Sequence, residues 1–408
     1  MGLSRRISPL VVVGVLVTAV VFCQEQPKSN PKRDHAFELY KQGKMVDAMP
    51  LLEELSADNS KDIGVMETWG ACVLGYAQTL SDTDLKKKTR VRARSILLKA
   101  QALGDNSDFL RTLLQELPED GSFSAFSDKK EVDDAMQSAE ADFVRGDLDK
   151  ARQGYTRAFL LDGKQYYAAL FIGDTYYKQQ QPAFAGQWFA QAIQIDPNKE
   201  TAYRYWGDAL LRNNRLEEAR SKYIDAVVAD PYDQTSWNGL KNWLSRTKVN
   251  VNWLKLKDGV SVNVKENKNT DVTLDSSLPQ GLSAAWLMYG MNRALWMSEK
   301  FKKEFPKETT YRHSLKEESE SLAMLITASK NADQGKAKGD EQSRVLFDQL
   351  RKIQESGFLE AFALLNRADA GIVQDYAAYR EVNRDKIRRY LDEFVVPKTP
   401  PVGNPPVQ

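Results

Sequence analysis

Histidine and cysteine, the side chains that most often carry out catalysis or bind transition metals, are scarce in this sequence. Its 408 residues include two histidines, His35 and His313, and two cysteines. Neither histidine belongs to an H-x-x-x-H or E-x-x-H pattern of a helical zinc site. We therefore expect no metal site and no cofactor, and we interpret His313 as an exposed residue near the start of a helix.

Candidate nucleophiles and acid pairs are also few. Cys72 lies in an apolar segment beside Trp69 and Tyr76, which favours a buried structural thiol over a nucleophile. The sequence has no G-x-S-x-G elbow and no Gly-rich phosphate loop. The pair Glu317 and Glu318 is typical of a solvated helix surface. We predict a protein without catalytic residues, although a serine–lysine mechanism remains open.

The balance of charges bears on the kind of partner. The 57 Lys and Arg residues and 56 Asp and Glu residues nearly cancel. Non-specific nucleic-acid binding relies on excess positive charge, so we expect no nucleic acid and instead a protein or peptide partner.

The first residues of the chain predict an export signal. Arg5 and Arg6 precede an apolar run from Pro9 to Cys23, which is shorter than the ~20 residues that span a bilayer. We predict a cleaved signal peptide over residues 1–23 and a periplasmic or secreted protein. The alternatives are a retained signal-anchor and lipidation at Cys23. Bulky Phe22 disfavours lipidation, and any membrane attachment would run through this segment alone.

Small and aromatic residues recur in the centre of the chain every 34 residues, a spacing that we call the repeat interval. The recurring positions are Ala151, Ala185 and Ala219; Tyr155, Phe189 and Tyr223; and Ala158, Ala192 and Ala226. Within each unit, these positions are four and three residues apart and therefore share one face of a helix.

These units resemble the tetratricopeptide repeat family, whose period is also about 34 residues. Residues 166–199 carry Gly173, Tyr176, Ala185, Phe189, Ala192 and Pro197, and residues 200–233 carry Tyr203, Gly207, Ala219, Tyr223, Ala226 and Pro231. Residues 132–165 match more loosely. The resemblance implies antiparallel helix pairs stacked as a solenoid, with a concave groove that binds a peptide or a helix.

The regions on either side of these repeats are less regular. We expect degenerate repeats in residues 24–117, a linker in 118–130, and three repeats with a capping helix in 131–247. Within the first region, Pro50 is expected to weaken or kink its helix. The charged stretch SDTDLKKKTR is predicted to form a loop about a dozen residues longer than that of the family.

Alternating apolar residues predict a β-hairpin in residues 248–280. We favour a three-residue loop at 257–259 that pairs Leu256 with Val260 and gives Gly259 a left-handed conformation. Residues 271–275 are a possible third strand. The predicted fold is thus an all-α repeat solenoid with a small β-hairpin insert and a C-terminal helical domain over residues 281–395. A Pro-rich disordered tail follows in 396–408.

The segment from Trp286 to Met297 in the C-terminal domain is rich in Met and Trp. We interpret it as the central core helix of that domain. An adaptable binding surface is the alternative.

The family's groove positions give the predicted partner-binding residues. They are Glu140, Phe143, Leu170, Asp174, Tyr177, Lys178, Arg204, Asp208, Arg212 and Asn242, with Met136 beside them. Glu140, Asp174 and Asp208 are separated by the repeat interval and form an acidic ladder. Two apolar residues, Arg204 and the three acids stand where the family's carboxylate clamp needs Lys and Asn, which argues against a clamp. We predict a peptide that carries a basic residue. Alternatively, the acids are solvated or pair with Arg204 and Arg212.

Taken together, these features predict an exported, non-catalytic scaffold that binds other proteins in the cell envelope or periplasm. One alternative is an envelope enzyme whose catalytic part is the C-terminal helical domain and whose repeats recruit the substrate. The other is an assembly factor tethered to the membrane by its N-terminal segment.

Overall fold

The computed structural model describes residues 30–80, 82–115, 117–123, 125–264, 270–278, 282–334 and 341–398. The predicted signal segment and residues 399–408 of the predicted tail lie outside them. The chain divides into two compact units, unit 1 (residues 1–215) and unit 2 (residues 216–408). None of the described helices has both the length and the apolar character needed to cross a membrane.

Unit 1 is built from helices, most of which are joined by short turns. In chain order they are α1 (Pro31–Lys41), α2 (Met45–Asp58), α3 (Ile63–Gln78), α4 (Thr83–Ala102), α5 (Asp108–Gln115), α6 (Lys130–Val144), α7 (Leu148–Leu161), α8 (Tyr166–Lys178), α9 (Pro182–Ile195) and α10 (Glu200–Arg212). Helix α2 runs through Pro50 as one element.

The helix pairs recur with the predicted repeat interval. That interval separates the start of α7 from the start of α9, and the start of α8 from the start of α10. It also separates Gly146, Gln180 and Asn214, which adopt a left-handed conformation with φ of 84°, 59° and 59°. In each of these turns the next amide bonds to a carbonyl five residues back, as from Gln181 N to Tyr176 O at 2.9 Å. This turn ends the first helix of each helix pair and reverses the direction of the chain.

The recurring small and aromatic residues form the core of unit 1. Tyr155 and Phe189 are buried, as are the alanines one turn before and after them. A Cβ atom on Gly173 would lie 2.6 Å from the Phe189 ring. The glycine therefore leaves room for the aromatic side chain between helices α8 and α9. The predicted helix-pair packing is confirmed.

The predicted long loop before residue 93 is wrong. Helix α4 begins at Thr83, and Asp82 caps it by accepting from the amide of Leu85 at 2.9 Å. The charged stretch is helical because its lysines and arginines are good helix formers, and two of them, Lys86 and Arg90, are buried. Lys86 donates to Gln137 at 3.3 Å and lies 4.6 Å from the centre of the Phe123 ring.

Unit 2 contains the remaining elements. They are α11 (Leu216–Ala229), α12 (Gln234–Thr247), β1 (Val260–Val264), β2 (Thr270–Leu274), α13 (Ser283–Leu295), α14 (Phe301–Glu304), α15 (Leu315–Gln334), α16 (Glu341–Glu355), α17 (Leu359–Asn366) and α18 (Tyr376–Tyr390). A π-helical turn follows α13, a second one follows α18, and a 3-10 turn (Ile372–Asp375) precedes α18.

The C-terminal segment of the chain packs on helix α11. Arg220 forms an ion pair with Asp392 at 2.5 Å and donates to the carbonyl oxygen of Pro397 at 3.0 Å. Val396 is buried. Residues 396–398, the beginning of the predicted disordered tail, are therefore ordered, because they supply acceptors to a buried arginine.

The hairpin exists, but the predicted register is wrong. Strand β1 pairs with β2 in antiparallel fashion, with Val260 opposite Leu274 and Val262 opposite Val272. Leu254 and Leu256 are not in a strand, because their carbonyl oxygens accept from Asn366 and Arg367 instead. Gly259 is not left-handed. A Cβ atom there would lie 2.6 Å from Trp286, so close packing requires the glycine.

The Met- and Trp-rich helix α13 has two distinct faces. Trp286, Tyr289 and Trp296 are buried, which confirms the core interpretation for that face. Met288 and Met291, on the other face, are exposed.

Candidate functional site

The acidic ladder lies on the first helices of successive repeats. Glu140 is on α6, Asp174 on α8 and Asp208 on α10. Glu140 is buried and accepts a hydrogen bond from the Tyr155 hydroxyl at 2.6 Å. The constant repeat interval brings the three acids together, since the equivalent helices stack side by side.

Asp174 is the most enclosed acid of the ladder. Its side chain is 2% exposed, and its Oδ1 is buried with no hydrogen-bond partner among the described residues. Burial raises the pKa of Asp174 to about 6; nearby Lys178 opposes this rise and Asp208 adds to it. Burial likewise raises the pKa of Glu140 to about 7, against the Tyr155 hydrogen bond and with a contribution from Asp174. The three carboxylates are thus electrostatic neighbours.

The basic residues of the predicted groove contact either an aromatic ring or an acid on the same helix. Arg204 bonds to Glu200, one turn earlier, at 2.9 Å. Lys178 lies 5.8 Å from the centre of the Phe143 ring, and Arg212 lies 5.7 Å from the centre of the Tyr177 ring. The principal partner of Arg204 is therefore Glu200 rather than an acid of the ladder, although Asp208 also attracts the Arg204 charge.

The other predicted groove residues differ in accessibility. Lys178 and Arg212 are exposed, Arg204 and Asp208 are half-buried, and Phe143 and Tyr177 are buried. Met136 and Leu170 have no exposed surface, so both contribute to the core of unit 1 rather than to a surface. Asn242 is exposed on α12 in unit 2. Partner binding by these residues remains a prediction.

A second polar cluster, in unit 2, was not predicted. Glu317 and Glu318, expected on a solvated surface, are both 0% exposed. Arg293 on α13 contacts Glu317 at 2.5 Å, and Arg367 after α17 contacts Glu318 at 2.9 Å. The expectation was wrong because these partners come from distant parts of the sequence and neutralise the acids inside the unit.

His313 belongs to the same cluster. It precedes α15 as predicted, but its side chain is only 10% exposed, because Glu318 and Asp369 flank its ring. The Tyr289 hydroxyl also donates to Glu318, at 2.6 Å. Burial opposes the charged form of Glu318, yet the surrounding donors and cations lower its pKa to about 2.

Cys72 is a buried free thiol, as predicted, and burial raises its pKa to about 12. Such a thiol is a poor nucleophile. In the part of the chain that the structure describes, no group of three His, Cys, Asp or Glu side chains is arranged to hold a metal ion.

Comparison with known proteins finds similarity among solved structures only. No model of a protein family matches the chain, and no curated protein matches it. The first tetratricopeptide domain of Spaghetti (RPAP3), solved with the HSP90 peptide SRMEEVD, is 19% identical over 31% of this chain and 99% of its own, with a TM-score of 0.28. The tetratricopeptide domain of Arabidopsis OM64 is 21% identical over 29% of this chain and 97% of its own, with a TM-score of 0.27.

YrrB, described as a tetratricopeptide protein with an unusual peptide-binding site, is 15% identical over 52% of this chain and 91% of its own, with a TM-score of 0.25. The fold assignment rests on this chain's own helices. Their bounds, their left-handed turns and their buried small and aromatic residues all recur with the repeat interval. The chain has an all-α fold of tetratricopeptide-type helix pairs with one small β-hairpin.

Proposed function

We propose that this protein is a non-catalytic scaffold whose first helices bind a peptide partner carrying a basic residue. One observation carries the proposal: Asp174 is a buried carboxyl with an unpartnered oxygen, in line with Glu140 and Asp208 on successive first helices. A cation brought to this ladder would supply donors and offset the repulsion between the acids.

The half-buried Asp208 is the accessible end of the ladder. An ammonium or guanidinium group of a partner would contact Asp208 first and extend toward Asp174. The rings of Tyr177 and Phe143, which lie near Arg212 and Lys178, are each 6% exposed and leave a small apolar edge beside the acids. This combination suits a peptide with a Lys or Arg next to an apolar residue.

The test is a selection from a random twelve-residue peptide library with the purified protein, followed by fluorescence anisotropy with the selected peptides. We expect enrichment of Lys and Arg. We also expect Asp208→Lys to weaken binding at least about tenfold, which corresponds to about 1.4 kcal/mol.

The matched control is Asp134→Lys. Asp134 is an exposed acid on α6 whose pairing with Lys130 is an ordinary i,i+4 contact. Circular dichroism would show whether both variants remain folded. Peptides without basic residues, or equal binding by the two variants, would contradict the proposal.

We also propose that the protein is exported and acts in the periplasm or outside the cell. Support comes from Arg5, Arg6 and the apolar run up to Cys23. Cell fractionation combined with the intact mass of the mature chain tests this. We expect to find the protein in the soluble envelope fraction, with a mass that lacks residues 1–23. A chain of full mass in the membrane would favour a retained anchor, and an added lipid mass on Cys23 would favour a lipoprotein.

A further inference from the structure

The side chain of His313 lies between two carboxylates that belong to different parts of unit 2. Its Nδ1 is 2.8 Å from Oδ2 of Asp369, in the segment between α17 and α18. Its Nε2 is 3.1 Å from Oε2 of Glu318 on α15, an ion-pair contact without straight hydrogen-bond geometry. The ring therefore has a carboxylate oxygen at each nitrogen.

This arrangement discriminates between the protonation states of the ring. A neutral imidazole carries one N–H and one lone pair. Either neutral tautomer of His313 would place a lone pair beside a carboxylate oxygen, of Glu318 or of Asp369. Only the imidazolium places an N–H beside both, so the positions of the two carboxylates fit the charged ring.

The charges around the ring are mixed, and acids predominate. Helix α15 contributes Glu317 and Glu318, helix α13 contributes Arg293 and the Tyr289 hydroxyl, and the segments that pack on them contribute Tyr311, Arg367, Asp369 and Asp258. The cluster that includes the ring thus contains two arginines and four carboxylates, and Arg312 and Asp375 pair with each other beside it. A proton on His313 reduces the excess negative charge.

Asp369 organises the segment that follows it. Its Oδ1 accepts from the amides of Gly371 and Ile372 at 2.9 and 3.0 Å. Gly371 packs on the backbone of His313 so closely that no Cβ atom would fit there. Arg312 joins the same two segments through Asp375, at 2.7 Å.

We propose that His313 is a pH-sensitive latch, which holds residues 369–375 against the start of α15 while its ring is charged and loosens them when the proton leaves. Arg312 and Asp375 keep the two segments together when the latch is open, so the change is local. It affects the 3-10 turn that leads into α18.

The direction of the pH effect follows from the environment of the ring. Burial lowers the pKa of His313 and Arg293 lowers it further, but hydrogen bonding and charge from Glu318 and Asp369 outweigh both and raise it above the ordinary value. The latch is therefore fully present below the pKa of an unfolded-chain histidine, about 6.5. It is lost as the pH rises through the higher folded-state value.

The chain has only two histidines, so NMR titration of its ring protons gives two resolvable curves. A His35→Gln variant assigns them, because it leaves only the curve of His313. We expect the midpoint of His313 to lie above about 6.5, the value for a histidine in an unfolded chain. A midpoint at or below that value would overturn the proposal, and this result needs no variant of the cluster itself.

Amide hydrogen exchange of Gly371 and Ile372 tests the latch directly. After correction for intrinsic exchange, we expect protection to fall about tenfold, or about 1.4 kcal/mol, between the pH values on either side of the His313 midpoint. In Asp369→Asn, which retains an acceptor for both amides, the pH dependence should be much smaller. Protection that is independent of pH in the wild-type chain would contradict the proposal.

Discussion

Arg90 of α4 donates through Nε to the carbonyl oxygen of Gly121 at 2.9 Å, although its side chain is only 1% exposed. Its Nη2 also donates to the carbonyl oxygen of Ser122 at 3.0 Å. A segment without regular structure is thus held on a helix by a buried cation that binds backbone carbonyls. Carbonyl groups in such a segment would otherwise be buried without donors.

The first prediction concerns this contact. Arg90→Ala should lower the free energy of unfolding by roughly 2–4 kcal/mol, because one buried and one partly buried carbonyl lose their donor and a long side chain leaves the interior. Urea denaturation followed by circular dichroism measures the change. Lys88→Ala, an exposed position on the same helix, is the control and should cost less than about 0.5 kcal/mol. Equal effects of the two changes would refute this account.

The second prediction concerns the left-handed turns. Gly146→Ala should destabilise the protein by about 1 kcal/mol, because φ at this residue is 84° and a Cβ atom is strained there even though nothing lies within 4 Å of it. Gly163 has the same open surroundings but no left-handed φ. Gly163→Ala should therefore be neutral or slightly stabilising. Thermal denaturation of the two variants measures the difference. A cost as large as that at residue 146 would show that the strain argument is wrong.

The third prediction follows from the buried acids. Burial raises the pKa of Glu140 from its ordinary value to about 7, so the folded protein holds this proton more tightly than the unfolded chain does. The contribution of Glu140 to stability is therefore present below about pH 4.5 and is lost as the pH rises through about 7. Glu140→Gln should flatten the decline in urea-denaturation stability between pH 5 and pH 8. An unchanged slope would mean that another group causes the decline.

The fourth prediction concerns the cluster in unit 2. Glu318→Ala leaves Arg367 and His313 without their buried counter-charge and should cost roughly 3–5 kcal/mol. Glu299→Ala removes an acid whose pairing with Lys303 is exposed and should cost less than about 1 kcal/mol. Differential scanning calorimetry of the two variants distinguishes a buried network from an ordinary set of surface charges.

The repeats could be predicted from the sequence because their information is local. Ala185, Phe189 and Ala192 have the spacing of one helix face, and the same spacing recurs one repeat interval away. The left-handed turn was not predicted, because Gln180 and Asn214 occupy two of its three positions and only Gly146 has a residue type that suggests it.

The cluster in unit 2 could not be predicted, for the opposite reason. Glu317 and Glu318 lie 24 and 49 residues from the arginines that neutralise them, and no local pattern distinguishes such acids from solvated ones. The charged start of α4 was misassigned in the same way, because a composition typical of a loop also suits a capped helix whose cations are covered by a distant segment. Predicting either feature requires tertiary contacts.

The left-handed turns at Gly146 and Gln180 also make the chain modular. Each turn leaves the backbone in the same conformation, so the residue after one turn could be joined to the residue that follows the next. Excising residues 148–181 would connect Asp147 directly to Pro182, and the new junction would reproduce a turn that the chain already uses. The length of such a protein can therefore change by whole repeats without a new type of turn between helices.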